Sequence, residues 1–185
     1  MSKTLEGFDD ERRWISQLQG ELDRLRSRLA LEIGSSTLPG EAFDAMLFRV
    51  GEARLAIPLA GVEEVVMVAA TAAIPDAPPW ISGLLDLRGE ALVVLDVGAR
   101  IQRGQREPEL NDLIVIARVE DRRVGLVVQE IVDIVSVDRE EIASAMTEPE
   151  EAPYVLGVFL HEDVQTQLLG LQPLLALSDL PGPDS

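Results

Sequence analysis

Apolar residues recur along this chain with two different periods. Over residues 9–32, Ile15, Leu18, Leu22, Leu25 and Leu29 return at alternating spacings of three and four, which aligns them as one stripe on an amphipathic helix. Glu21, Asp23, Arg24, Arg26 and Arg28 fall on its flanks. The segment GSSTLPGE (34–41) then stops the helix, because glycine and proline cannot carry it on. Two heptads are too short for an isolated coiled coil, which needs about three or four. The stripe therefore packs on the protein's own body, or it docks on or dimerises with another chain. The pattern leaves both open.

From Met46 onward the period shortens to that of strands, in short runs punctuated by turns. Met46–Val50 and Arg54–Pro58 flank Gly51-Glu52-Ala53 as a hairpin, and Val62–Val68 follows. After the proline-rich stretch Ile74–Trp80 come Gly83–Leu87 and Ala91–Val97, separated by Arg88-Gly89-Glu90. A short helical or irregular bridge, Gly98–Arg106, leads to Leu113–Val119, the turn Glu120-Asp121-Arg122, Val124–Val128 and Ile131–Val137. Tyr154–Leu160 and Gln167–Leu171 precede a short helix over Pro173–Leu177. Many short strands at regular spacing predict an all-β barrel or pair of barrels. Leu-Ile-Val-Ile-Ala and Val-Gly-Leu-Val-Val are apolar throughout, so both faces of those strands need burial. Two small barrels sharing an interface meet that need. The expected organisation is a helix and linker over 1–40, a β domain over 41–180 and a disordered tail over 181–185.

Composition then removes several classes of function. There is no cysteine, which excludes disulfides, zinc thiolates, thiol nucleophiles and iron–sulfur ligation. A net charge of −17, from 33 acids and 16 bases, repels phosphate backbones and anionic lipid and argues against nucleic-acid or membrane-surface binding. The start MSKTLEGFDDERRW lacks a secretion-signal pattern, and no apolar run approaches the roughly 20 residues that span a bilayer. A cytoplasmic protein without membrane insertion is expected.

Catalytic groups are equally scarce. His161 is the only histidine, so no Ser-His-Asp set can form around it, and Gly98–Gly104 lacks the lysine of a phosphate-cradling loop. His161-Glu162-Asp163 could in principle ligate a metal, but neighbouring positions on a turn point apart; a solvent-exposed turn histidine is expected. Nucleic-acid barrels use basic grooves and stacking aromatics, and this chain has acid excess with 2 Trp, 1 Tyr and 4 Phe. Neither an enzyme nor a cofactor or metal site is expected. Asp96, at the end of Val-Val-Leu-Asp, suits a helix cap. Trp80 suits the closing of a barrel end, and Trp14 an anchor for the helix. The run Glu148-Pro149-Glu150-Glu151 reads as a solvated loop.

Four collinear blocks resemble the CheW-like domain of bacterial chemosensory systems, over about residues 44–178. FRVGEARLAIPLAGVEEVV (48–66) follows its strand–turn–strand pattern, with Ile57-Pro58 and Val62-Glu63-Glu64-Val65. PPWISGLLDLRGEALVVLDV (78–97) carries its Pro, Gly, Leu-Arg-Gly and closing Asp. LIVIARVEDRRVGLVVQEIVDIVSV (113–137) and YVLGVFLHEDVQTQLLGLQPLL (154–175) resemble its later strands and closing hairpin and helix. Two departures stand out. Val93 occupies the family's Pro in Arg-Gly-x-x-x-Pro-Val, and Gln129-Glu130 replace an Asp-Gly-like pair. The N-terminal helix is an addition.

The resemblance implies two five-stranded SH3-like β-barrels sharing a hydrophobic core, plus the N-terminal amphipathic helix. It implies a non-catalytic coupling scaffold that joins the cytoplasmic hairpin tip of a chemoreceptor to the regulatory domain of a CheA-type histidine kinase. As residues alone, Arg88 fits a strand-end arginine paired with a local acid; the resemblance makes it the receptor-contact position, with Gly89 beside it. A guanidinium suits a carboxylate on a partner helix. Val62, Leu113, Gly125, Ile131 and Ile134 match family positions of the receptor groove or its rim, though each also reads as core. Glu63 and Glu64 match the kinase- or partner-contact surface, or a solvated strand edge. A further reading is self-association or autoinhibition, in which the helix stripe occupies the chain's own groove or a neighbour's.

Overall fold

The computed structural model describes residues 16, 17, 19, 20, 42–104, 106, 108, 109, 111–119, 121–144 and 153–176. The stripe positions Ile15, Leu18, Leu22, Leu25 and Leu29, Trp14, the run 148–151 and the tail 181–185 lie outside the described residues. The chain runs β1 (Ala42–Val50), β2 (Ala53–Pro58), β3 (Val62–Met67), β4 (Ile81–Leu87), β5 (Glu90–Asp96), α1 (Val97–Arg100), β6 (Leu113–Val119), β7 (Arg122–Val128), β8 (Glu130–Asp138), β9 (Val155–His161), β10 (Val164–Leu169) and α2 (Leu171–Leu174).

These strands form two five-stranded sheets. Sheet 1 has the order β8-β1-β2-β10-β9 and sheet 2 the order β3-β6-β7-β5-β4. The hairpin β1–β2 therefore sits among strands from the end of the chain, and β6–β7 among strands from its start. Each half lends its first hairpin to the other. Each sheet also closes on itself through one bridge, Ala143–Val158 in sheet 1 and Ala72–Leu84 in sheet 2. A five-stranded sheet closed in this way is a small barrel.

The two halves repeat each other at one constant offset. Trp80 corresponds to Tyr154, Gly83 to Gly157, the turn Arg88-Gly89 to Glu162-Asp163, and Asp96 to Gly170 at the start of a short helix. All four turn residues have positive φ.

Alternation explains why both faces of the central strands are apolar. Met46, Phe48, Leu55 and Ile57 of sheet 1 meet Val62, Leu113, Val115, Leu126 and Val128 of sheet 2 in one shared core. Their neighbours turn inward, Ala45, Leu47, Ala56 and Leu168 filling barrel 1 and Val94, Ile114, Ile116 and Val127 filling barrel 2. This is the two-faced burial that the apolar runs require.

Several boundaries move. β1 begins at Ala42, four residues before the expected start, because Phe43 and Ala45 also point into barrel 1. β7 begins at Arg122, since Val119 pairs with Arg122 across a shorter turn. Val97 opens α1 instead of ending a strand, and Leu171 opens α2. Asp96 caps α1 as its position suggested, its Oδ1 accepting from the Ala99 N–H at 3.0 Å. His161 is the last residue of β9, half-buried and not on the exposed turn; its Nε2 lies 3.3 Å from Asp133 Oδ2 on β8. Among the described residues, no helix is long and apolar enough to cross a membrane.

Candidate functional site

Leu87 pairs with Glu90, so Arg88 and Gly89 alone form the β4–β5 turn. A two-residue hairpin matches the twist of its strands when both residues take positive φ. Gly89 does so freely at 88°, but Arg88 does so at 56°, and a left-handed backbone costs a residue with a side chain roughly 1–2 kcal/mol. Asp86 Oδ1 accepts from the Gly89 N–H at 2.7 Å and fixes the turn. The Arg88 side chain is left 76% exposed, its Nη2 2.7 Å from Glu64 Oε2 on β3.

Glu64 belongs to a ring of charges around this end of barrel 2. Glu63 accepts hydrogen bonds from Arg118 on β6 and Arg123 on β7. Arg123 also binds Glu90 at the start of β5 and lies 3.6 Å from Glu64. Burial alone would raise the Glu63 carboxyl, but hydrogen bonds and charge from Arg118 and Arg123 outweigh it and hold the group below its ordinary value of 4.5. The hydrogen bond to Glu63 pushes the Arg123 guanidinium up. The strand ends thus alternate in sign. Arg88 is the most exposed arginine of the ring, Arg118 is exposed to a lesser degree, and the Arg123 side chain is only 18% exposed.

The ring brings together Arg88, Gly89, Glu63 and Glu64 from the sequence expectations. The remaining positions lie outside it: Leu113 pairs with Met67 and Val128 at the far end of β6, and Ile131 and Ile134 belong to β8 of sheet 1. Val62, Leu113 and Ile131 are buried in the core shared by the barrels, and Ile134 packs against that core half-buried. Gly125 is buried, and a Cβ there would meet Ile114 Cγ2 at 2.8 Å. Val62, Leu113 and Ile131 thus face the core between the barrels, whereas Gly125 faces the interior of barrel 2. A cavity of ≈ 210 Å³ does open between the β1–β2 turn, α1 and the end of β7, lined in part by Val50, Asp96, Arg103 and Gln129. It is too small for a helix.

Arg118, Arg123, Glu90 and Asp86 were not singled out from the sequence. Arg118 and Arg123 flank one turn, which marks them as cross-strand neighbours, but their link to Glu63 depends on a strand far back in the chain. The two sequence departures also have partners. Gln129 Oε1 accepts from the Gly51 N–H at 2.5 Å and Glu130 pairs with Arg49 at 2.8 Å, tying the first turn to the β7–β8 junction. Val93 pairs with Val124 inside sheet 2. Trp80 lies under the buried Arg100 guanidinium at 3.9 Å, with Tyr154 at 5.3 Å, joining the two barrels. Among the described residues no group of three or more His, Cys, Asp or Glu could hold a metal ion. Among the described residues, the exposed large apolar side chains, Leu156, Leu160 and Val164, sit on the β9–β10 hairpin of barrel 1.

Comparison with known proteins agrees with this geometry. The model of the CheW-like domain matches residues 44–178. Chemotaxis protein CheW of Rhizobium meliloti (strain 1021) is 31% identical over 99 residues, 54% of this chain and 64% of its own length. Chemotaxis protein CheW of Treponema pallidum (strain Nichols) is 30% identical over 108 residues, 56% of this chain and again 64% of its own length. The chain thus aligns with just under two thirds of these relatives. The crystal structure of scaffolding protein TtCheW from Thermoanaerobacter tengcongensis shares the fold, with a TM-score of 0.67 and 22% identity, covering 75% of this chain and 95% of that one. By sequence and by fold, the chain belongs to the CheW-like domain family.

Proposed function

We propose that this chain is a non-catalytic chemosensory coupling scaffold, linking a chemoreceptor's cytoplasmic hairpin tip to the regulatory domain of a CheA-type histidine kinase. The observation that carries this reading is Arg88: a rim guanidinium raised on a strained turn, in a domain of this family. Strained backbone is enriched at functional sites, and here it coincides with the family's receptor-contact position. Glu64 restrains Arg88 from one side, and a partner carboxylate engages the guanidinium as a fork.

In this reading Gly89 gives a partner helix close approach, and Glu63 and Glu64 form the adjoining kinase- or partner-contact surface. Val62, Leu113, Ile131 and Ile134 act through the shared core, by fixing how the barrels meet, and Gly125 by letting the interior of barrel 2 pack closely. Its test is titration of a receptor-tip fragment into wild type and Arg88→Glu. At least a tenfold loss of affinity is expected, about 1.4 kcal/mol, with circular dichroism unchanged. Unchanged affinity would reject the site.

A further inference from the structure

β3 and β4 are the two edges of sheet 2, and the bridge between them lies at Ala72–Leu84, beyond the end of β3. Among the described residues, no strand pairs with the outer side of β3 along Val62–Met67. Arg88 reaches across this edge to Glu64. At the next residue the Val65 carbonyl accepts a hydrogen bond from Gln19 Nε2, 2.7 Å away.

Ser16, Gln17, Gln19 and Gly20 are helical; Gln19 is half-buried and the other three are exposed. At 3.6 residues per turn, Gln19 stands four after Ile15 and three before Leu22, beside the apolar stripe of the sequence. Ser16, Gln17 and Gly20 fall on the other side. Gln19 is thus the described helix residue turned to β3.

We propose that segment 9–32 is an intramolecular ligand of the β3 edge, where it lays its apolar stripe beside Glu64 and Arg88 and competes with the partner helix. That this edge is a docking surface rests on the function proposed above. The segment carries five arginines against six acids, so it is close to neutral and the strongly acidic body repels it little. Residues 33–41 reach about 30 Å at roughly 3.3 Å per residue, enough to return the helix to its own barrel. A tethered ligand acts at about millimolar effective concentration, and partner affinity falls by the fraction of edges left free.

The chain has no cysteine, so Gln17→Cys in the full chain gives a single nitroxide site on an exposed helix position. Broadening of the Glu64–Met67 and Arg88-Gly89 amides is expected within the labelled molecule. Absence of broadening there overturns the contact. Broadening that arises only from a labelled copy mixed with an isotope-enriched unlabelled copy places the helix on a neighbour and overturns the intramolecular form.

A second arm titrates a chemoreceptor tip fragment into wild type and into the full-chain double variant Leu18→Glu, Leu22→Glu. The variant should lose the broadening and bind about three- to tenfold more tightly. Equal affinity overturns competition. If neither chain binds the fragment while broadening persists, the helix contact stands and the docking function falls.

Discussion

Arg88 is held in a conformation that its side chain disfavours, and this separates its contribution to binding from its contribution to stability. Asparagine before glycine suits the same turn, so Arg88→Asn should raise unfolding free energy by about 0.5–1 kcal/mol in urea titrations while weakening receptor-tip binding. A loss of stability instead would make Arg88 structural. Glu63 behaves in the opposite way. Its carboxyl is held below its ordinary value by Arg118 and Arg123, despite burial, so its stabilisation is present above about pH 4.5 and is lost as pH falls through the lowered folded value. With its side chain 14% exposed, Glu63→Gln should cost about 1–3 kcal/mol at pH 7. That difference from wild type should shrink at pH 3; a pH-independent gap in urea midpoints would contradict it. Glu63 and Arg88 could be chosen from sequence, but Arg118 and Arg123 could not be joined to them, because charge partners across strands require the register.

The strands themselves were largely legible, because apolar runs broken by turn residues are a local signal. Ala42–Ala45 escaped because Asp44 and two alanines blur the alternation. What no local signal carries is the closure of each barrel. Gly83, at φ +136°, would bring a Cβ to 2.5 Å from the Ala72 carbonyl oxygen, and Gly157 would bring one to 2.4 Å from Ile142 Cγ2 and 2.8 Å from the Ala143 oxygen. Each sits beside its barrel's closing bridge. Gly83→Ala and Gly157→Ala should therefore each destabilise by about 1–3 kcal/mol through overpacking. Gly83→Ala should also speed amide exchange at Ala72 and Leu84. Unchanged exchange there would mean that the bridge does not close the barrel.

At the scale of the whole molecule, the exchanged hairpins make each barrel depend on both ends of the chain. That arrangement was hidden from the sequence: the repeat survives as Trp80-x-x-Gly83 and Tyr154-x-x-Gly157 with little else in common, and sheet membership follows non-local pairing. With one core shared by both sheets, the domain should unfold in a single transition whose calorimetric and van't Hoff enthalpies agree. Two transitions would show that the barrels are independent.

The charges assemble only through the same pairing, since Glu63 and Glu64 come from one lender of strands and Arg118 and Arg123 from the other. The most direct test of the docking surface follows the amide resonances of the isotope-enriched full chain as a chemoreceptor tip fragment is added. Shifts should concentrate at Glu63, Glu64, Arg88, Gly89, Arg118 and Arg123. Shifts confined to the exposed Leu156–Val164 hairpin would contradict the account.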